Sequence, residues 1–373
     1  MEQQEREGLI WLSAVSGIGT RTLWKITSQL ELAELTLDEM IRKNTYNQLQ
    51  LSESQIHALH HFRRQFSPAD YTELLVEKKI DTLCWSDPNY PALLREVPNH
   101  PVVLYYQGPS DFWQALPIAV VGTRHLTPYG EQATKIITRQ LVQLGATIIS
   151  GYMYGADKVA HQTTLAEGGK TVGVLGYGFD FLVDTDSQCP LQAFLESGNT
   201  FITEYAPFLP AQKAHFPMRN RVVAGLSHAT VVTEAAQRSG SLITANWAVE
   251  YNRLVCAVPG PLTSIYSEGT KQLINQGARL VTSGLEIVEE LFPSLSENET
   301  NIKLKKIKKV QQTEGKIDYI DQNIVDFLKS MESTVDDVAE RFELSISETI
   351  THLSLLEVQD LVTRNGDKWG SYS

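Results

Sequence analysis

Residues 117–124 read Pro117-Ile-Ala-Val-Val-Gly-Thr-Arg124, an apolar run that stops at a glycine turn. A continuous apolar run, rather than an alternating one, marks a strand buried on both faces of a parallel sheet. The pattern recurs on either side. Thr147–Ile149, Thr171–Leu175, Thr200–Thr203, Ala229–Thr233, Leu254–Val258 and Arg279–Val281 are similar runs, separated by stretches with helical spacing. Strands alternating with helices make right-handed crossovers, so the spacing predicts an α/β fold, an extended Rossmann-like doubly wound parallel sheet. Ile80–Trp85 and Pro101–Tyr106 add strands in front of it.

The flanks differ. Residues 1–75 read as a small helical domain with helices at Gly8–Leu12, Arg21–Leu30, Leu37–Ile41 and Glu53–Gln65. Val15-Ser-Gly-Ile-Gly-Thr20 is similar to a helix-hairpin-helix turn, whose amides can meet a phosphate or simply join two helices. The sheet domain spans 80–292. Residues 293–316 form a polar linker with five lysines between Lys303 and Lys309, read as a solvated tether ahead of a basic arm. Residues 317–373 give three helices (Asp318–Ser330, Thr334–Arg341, Ser345–Glu357) and a hairpin about Asn365-Gly366, a winged-helix outline. The third helix carries no Arg or Lys, which favours a protein-contact module over a major-groove reader.

Composition sets bounds. Hydrophobic residues make 42% of the 373 and charged residues 20%, as in ordinary globular proteins. The N-terminus has no basic run leading into an apolar stretch, and no window is long and apolar enough for a membrane span. Cys84, Cys189 and Cys256 are scattered, suit a reducing compartment and lack zinc-site spacing; a cytoplasmic protein without metal or cofactor is expected. The net charge of −12 argues against a nucleic-acid partner unless basic residues concentrate locally.

They do. Lys213-Ala-His-Phe216-Pro-Met-Arg219-Asn220-Arg221 combines phosphate-matching cations with an aromatic face. The alternative for Arg219 and Arg221 is pairing with buried carboxylates such as Glu204 or Glu234. Strand ends are where open α/β sheets bind ligands, and three glycine turns lie there: after Val121, at Ser150-Gly-Tyr-Met-Tyr-Gly155 and at Gly176-Tyr-Gly178. Ser239-Gly240-Ser241 opens a helix after Val231-Val-Thr-Glu234 and adds an anion-ready helix start.

In order, GTRxxxxxYG, SGxxxGxD, FPxRNR, EAxxxSGSLITAxxA and a Pro-Gly strand end resemble the Smf/DprA (DNA processing protein A) family across residues 80–292. Asn89-Tyr-Pro-Ala-Leu-Leu94 and Pro101–Gly108 are similar to its lead-in. The resemblance implies a non-catalytic single-stranded DNA-binding protein, a homodimer, that protects incoming DNA and loads the RecA recombinase during natural transformation. It implies phosphate contacts at Arg124, Lys213 and the amides beside Gly122, a base contact at Phe216, and pocket-building by Arg219, Asn220 and Arg221. With the glycine and serine turns, the expected DNA-binding set is Gly122, Thr123, Arg124, Gly151, Lys213, Phe216, Arg219, Asn220, Arg221, Ser239, Gly240 and Ser241. Leu273, Ile274 and Leu280 would leave an apolar sheet edge for a dimer, or pack beneath the sheet. Departures from the pattern are Tyr152-Met153-Tyr154, the Asp184-Thr185-Asp186 turn and Gly269-Thr-Lys-Gln-Leu-Ile274.

Other classes fit less well. A nucleoside monophosphate glycosidic hydrolase needs a carboxylate at a ribose, for which Glu204, Glu234 and Asp157 are the candidates, but its PGGxGT loop is missing. A dehydrogenase lacks its GxGxxG turn. A pure interaction scaffold would retain no DNA.

Overall fold

The computed structural model describes residues 3–33, 51–111, 116–182, 191–293, 319–342, 344–358, 361–366 and 368–371. The expected helix at Leu37–Ile41, Cys189, the Asp184–Asp186 turn and the lysines of the linker lie outside the described residues. The chain divides into two compact units, at the junction between Ser294 and Leu295.

The first unit begins with helices α1 (Gln3–Ser13), α2 (Thr20–Ala33), α3 (Glu53–Gln65) and α4 (Pro68–Glu77). α4 goes beyond the helices expected from the sequence, although its start was legible. Ser67 caps it in a reciprocal box with Asp70, and Pro68 supplies a first-turn residue with no amide to satisfy. Strand β1 (Asp81–Cys84), helix α5 (Ala92–Arg95) and β2 (Val103–Gln107) follow. Then comes the alternating series: β3 (Leu116–Val121), α6 (Pro128–Gln143), β4 (Ala146–Ser150), α7 (Ala156–Ala166), β5 (Lys170–Val174), α8 (Leu191–Glu196), β6 (Thr200–Thr203), α9 (His215–Gly225), β7 (Ala229–Val232), α10 (Ser241–Glu250), β8 (Leu254–Ala257), α11 (Glu268–Asn275), β9 (Arg279–Leu280) and α12 (Gly284–Leu291).

The sheet order is β1-β2-β6-β5-β4-β3-β7-β8-β9. From β6 to β9 every neighbouring pair is parallel, whereas β2 joins β6 and β1 joins β2 antiparallel. All residues of β4, β6 and β7 are buried, as continuous apolar runs require of strands covered on both faces. Chain order reverses at β3, where Ile118 pairs with Ile148 on one side and Ala229 on the other. That reversal leaves a crevice beyond the strand ends, the place where doubly wound sheets bind ligands.

The N-terminal helices, expected as a domain of their own, share a core with the sheet. Trp11, Tyr71 and Leu59 pack in one buried cluster with Tyr105 of β2 and Phe201 of β6. The Tyr105 hydroxyl lies 2.6 Å from Ser13 Oγ and accepts from the Tyr71 hydroxyl at 3.3 Å. The glycine turn between α1 and α2 is bound into the protein as well. The Gly17 carbonyl accepts from Gln55 Nε2 at 2.8 Å, and the Thr20 hydroxyl donates to Glu204 at 2.8 Å. Those bonds fit a structural joint between helices.

The second unit has α13 (Tyr319–Ser330), β10 (Ser333–Thr334), α14 (Val335–Phe342), α15 (Ile346–Val358), β11 (Val362–Asn365) and β12 (Lys368–Ser371). Its antiparallel sheet runs β10-β12-β11, with Gly366 at φ +70° in the β11–β12 turn. Ile324, Leu328, Val338, Leu353, Val362 and Trp369 form its own core.

Candidate nucleic-acid interface

The loops after β3, β4 and β7 and the first turn of α9 converge at the switch point. They enclose a cavity of about 660 Å³. All of the expected DNA-binding set lines it except Arg221: Gly122, Thr123 and Arg124 on one wall, Gly151 behind, Lys213 in the turn before α9, Phe216, Arg219 and Asn220 from α9, and Ser239, Gly240 and Ser241 opposite.

The glycines are there because the loops touch. A Cβ on Gly122 would sit 2.7 Å from the Ala156 Cβ, and one on Gly155 would sit 2.2 Å from the Thr123 carbonyl oxygen. Gly155 also holds φ +76°, a conformation that favours glycine. The Thr123 amide, expected to meet a phosphate, donates instead to the Glu234 carbonyl at 2.8 Å. Thr123 is therefore a brace between β3 and β7. The Glu234 carboxylate accepts from the Thr127 amide at 2.9 Å and its hydroxyl at 2.6 Å, which ties it to the start of α6.

The arginines of α9 divide by helix face. Arg219 is buried and donates to the carbonyls of Gly151 and Val174, forming the cavity floor. A Cβ on Gly151 would lie 2.5 Å from Arg219 Nη2 and 2.6 Å from Asp157 Oδ2, so this glycine makes room for that pair. Burial pushes the Asp157 carboxyl up, and the neighbouring Arg219 guanidinium opposes the shift. Arg219 is thus a pocket-building residue, donating to two backbone carbonyls and, through Nε, to Asn220 Oδ1. Arg221 corrects the expectation of a DNA contact. It is 4% exposed, pairs with Glu204 and donates to the Asn99 carbonyl at 3.1 Å. The carboxylate-pairing alternative holds for Arg221, with Glu204 as the partner.

What faces solvent is a different set. Arg124 and Lys213 are exposed on the cavity lining, and Arg238 joins them. The Arg124 guanidinium carbon stands 5.6 Å from the centroid of the Phe216 ring, which itself packs against Gly176. A cation and an aromatic face therefore form one platform. Asn220 Nδ2 donates to the Gly240 carbonyl at 3.2 Å and fixes the start of α10. No side chain caps α10 there; Ser239 Oγ lies 2.8 Å from Ser241 Oγ. Sequence reasoning passed over Arg238 and Tyr154 as lining residues. Arg238 immediately precedes the Ser-Gly-Ser turn, so its position in the motif was the signal.

The sheet edge needs a correction too. Leu273 is 5% exposed and packs in the core under the sheet, so it is not part of an open edge. Ile274 is partly buried against the same core, and Leu280 on β9 is 45% exposed.

Behind the cavity, His161 is fully buried, with Nδ1 2.7 Å from the Thr171 hydroxyl. Burial, helped by the Arg219 charge, pushes its pKa from the usual 6.5 down to about 3. The folded protein holds this histidine neutral while the unfolded chain protonates it below about pH 6.5. Its contribution is complete above that pH and is lost as the pH falls toward 3. Between pH 6.5 and 4.5 the loss should be about 2–3 kcal/mol. Urea unfolding at the two pH values should show His161→Gln with a shallower acid decline than the parent; equal declines would remove His161 as its cause.

A doubly wound α/β protein whose switch-point cavity carries exposed Arg and Lys beside an aromatic face has the chemistry to take a polyanion bearing flat groups. The chain belongs to the DNA recombination-mediator protein A family, whose model matches residues 81–292. It is 31% identical over 335 residues to Protein Smf of Synechocystis sp., covering 86% of this chain and 80% of that protein. In structure it is similar to DNA processing protein A from Streptococcus pneumoniae, with a TM-score of 0.66 at 31% identity over 76% of this chain and 97% of that one. It is also similar to DNA processing protein A from Helicobacter pylori, a structure described for its single-stranded DNA binding mode. There the TM-score is 0.50 at 27% identity, over 58% of this chain and 96% of that one. Among the described residues no helix is long and apolar enough to cross a membrane.

Proposed function

We propose that the protein binds single-stranded DNA in this cavity, without catalysis, and acts as a mediator that protects incoming strands and loads a RecA-type recombinase during natural transformation in the cytoplasm. The observation that carries the reading is the platform of Arg124 over Phe216, flanked by Lys213 and Arg238. Arginine and lysine take backbone phosphates, and the ring takes an unstacked base, which a duplex does not offer. The single-stranded DNA binding described for the Helicobacter pylori relative supports it.

The carboxylates support a non-catalytic role. Glu204 is paired with Arg221 and Glu234 with Thr127, which leaves Asp157, held against Arg219 and Gly151, as the candidate that lines the cavity. A glycosidic hydrolase needs a carboxylate able to reach a ribose. Retention of single-stranded over duplex DNA of equal length is the expected result of a filter-binding assay. Equal retention of both, or release of free base from nucleoside monophosphates, would favour the other readings.

Two finer points belong to the same proposal. The protein acts as a homodimer through the β9 edge, where Leu280 is exposed. Light scattering at micromolar concentration should give a dimer mass, and Leu280→Glu should shift it to monomer; a monomeric parent would end this claim. Residues 317–373 act as a winged-helix protein-contact module after the 293–316 linker. Deleting them should weaken DNA binding no more than a few-fold, whereas a loss of about a hundredfold would make that module a principal DNA contact.

A further inference from the structure

The segment between β4 and α7 departs from the small-residue pattern of the family that the chain resembles, reading Gly151-Tyr152-Met153-Tyr154-Gly155. Its bulky residues go to opposite sides. Tyr152, at φ +48°, packs inward with its ring centroid 4.6 Å from that of Phe201. Tyr154 lines the cavity and is 62% exposed, more than the other exposed rings Tyr129, Phe181 and Phe292. Arg124 lines the same cavity as both aromatic residues. Its guanidinium lies over Phe216, and its Cα would be 2.6 Å from a Cβ built on Gly155, the residue next to Tyr154. The phenol of Tyr177, in the turn after β5, is pushed up chiefly by burial, with Tyr154 among its electrostatic neighbours. Tyr154 therefore lies along the strand-end face that Phe216 also borders.

We propose that Tyr154 is a second base platform, so that a strand anchored by its phosphate on Arg124 lays one base on Phe216 and a neighbouring base on Tyr154. This rests on the reading that the cavity holds single-stranded DNA. Successive bases stack on separate rings in sequence-tolerant single-strand binders, while basic side chains in the same groove hold the backbone phosphates. Arg124, with its guanidinium over Phe216 and its backbone against Gly155, supplies a cation on the same face. Stacking uses the π-face alone, so the contact releases no counterion and does not need the hydroxyl.

The test uses the full chain and a fluorescently labelled oligothymidylate, titrated across a range of salt. Tyr154→Ala should weaken binding about tenfold with the slope against salt unchanged, and Tyr154→Phe should bind like the parent. Lys213→Ala, run alongside, should lose affinity and slope together. If Tyr154→Ala binds like the parent while Lys213→Ala is impaired, the second platform is wrong and the single-strand reading stands. A parent that binds no oligothymidylate overturns both. Tyr154→Trp gives a readout that does not depend on the alanine variant folding: its added emission should be quenched at saturation, and unchanged emission overturns the proposal.

Discussion

Arg219→Ala is expected to destabilise the larger unit by about 3–5 kcal/mol, the cost of removing one partner from a buried charge pair. The side chain is 3% exposed, and its guanidinium bonds the carbonyls of Gly151 and Val174 while standing beside Asp157. Alanine leaves those two carbonyls without their donor and the carboxylate without its counter-charge, and it opens a hole beneath the cavity. Burial already drives the Asp157 carboxyl up, and losing the opposing Arg219 charge should drive it further up. Asp157→Asn in the Arg219→Ala background should therefore recover part of the loss, a coupling that a double-mutant cycle reads directly. Urea unfolding of the full chain measures it. A loss under about 1 kcal/mol would mean that Arg219 behaves as an exposed side chain, with its charge free for a ligand.

The same arginine shows what the sequence could tell and what it could not. The strand runs and the strand ends were readable because burial on both faces leaves an unbroken apolar signature, and Ala229–Val232 and Thr200–Thr203 carry it. The convergence of Gly122, Gly151, Lys213 and Ser239 on one cavity followed from the rule that ligands sit beyond strand ends. Which arginine faces the cavity did not follow. Arg219 and Arg221 are two residues apart on α9, so they point to nearly opposite sides of the helix, and neither side is open. The partners that decide their roles, Asp157 and Glu204, come from distant parts of the chain. Glycines mislead in a related way. Those of the Gly122 and Gly155 turns serve loop-to-loop contact, and the amide beside Gly122 is already satisfied by the Glu234 carbonyl. Leu273 looked like an edge residue because β9 is the last strand, but it belongs to α11 and points into the core.

The central claim is that exposed cations around Phe216 grip the phosphates of a single strand. Arg124 and Lys213 line the cavity and are exposed, so neither is needed to hold the fold, and each variant should melt like the parent. A charge-assisted bond to phosphate contributes about 1.5–3 kcal/mol, so Arg124→Ala and Lys213→Ala should each weaken binding roughly ten- to a hundredfold, whatever the base sequence. Phe216→Ala should also weaken it, by about 1–3 kcal/mol, but without counterion release. The most direct measurement is the slope of log affinity against log salt for oligothymidylate binding by the parent and these variants. The account predicts a slope smaller by about 0.7 for Arg124→Ala and for Lys213→Ala, and an unchanged slope for Phe216→Ala. An unaltered slope for both cation variants, with the fold intact, would put the DNA somewhere other than this cavity.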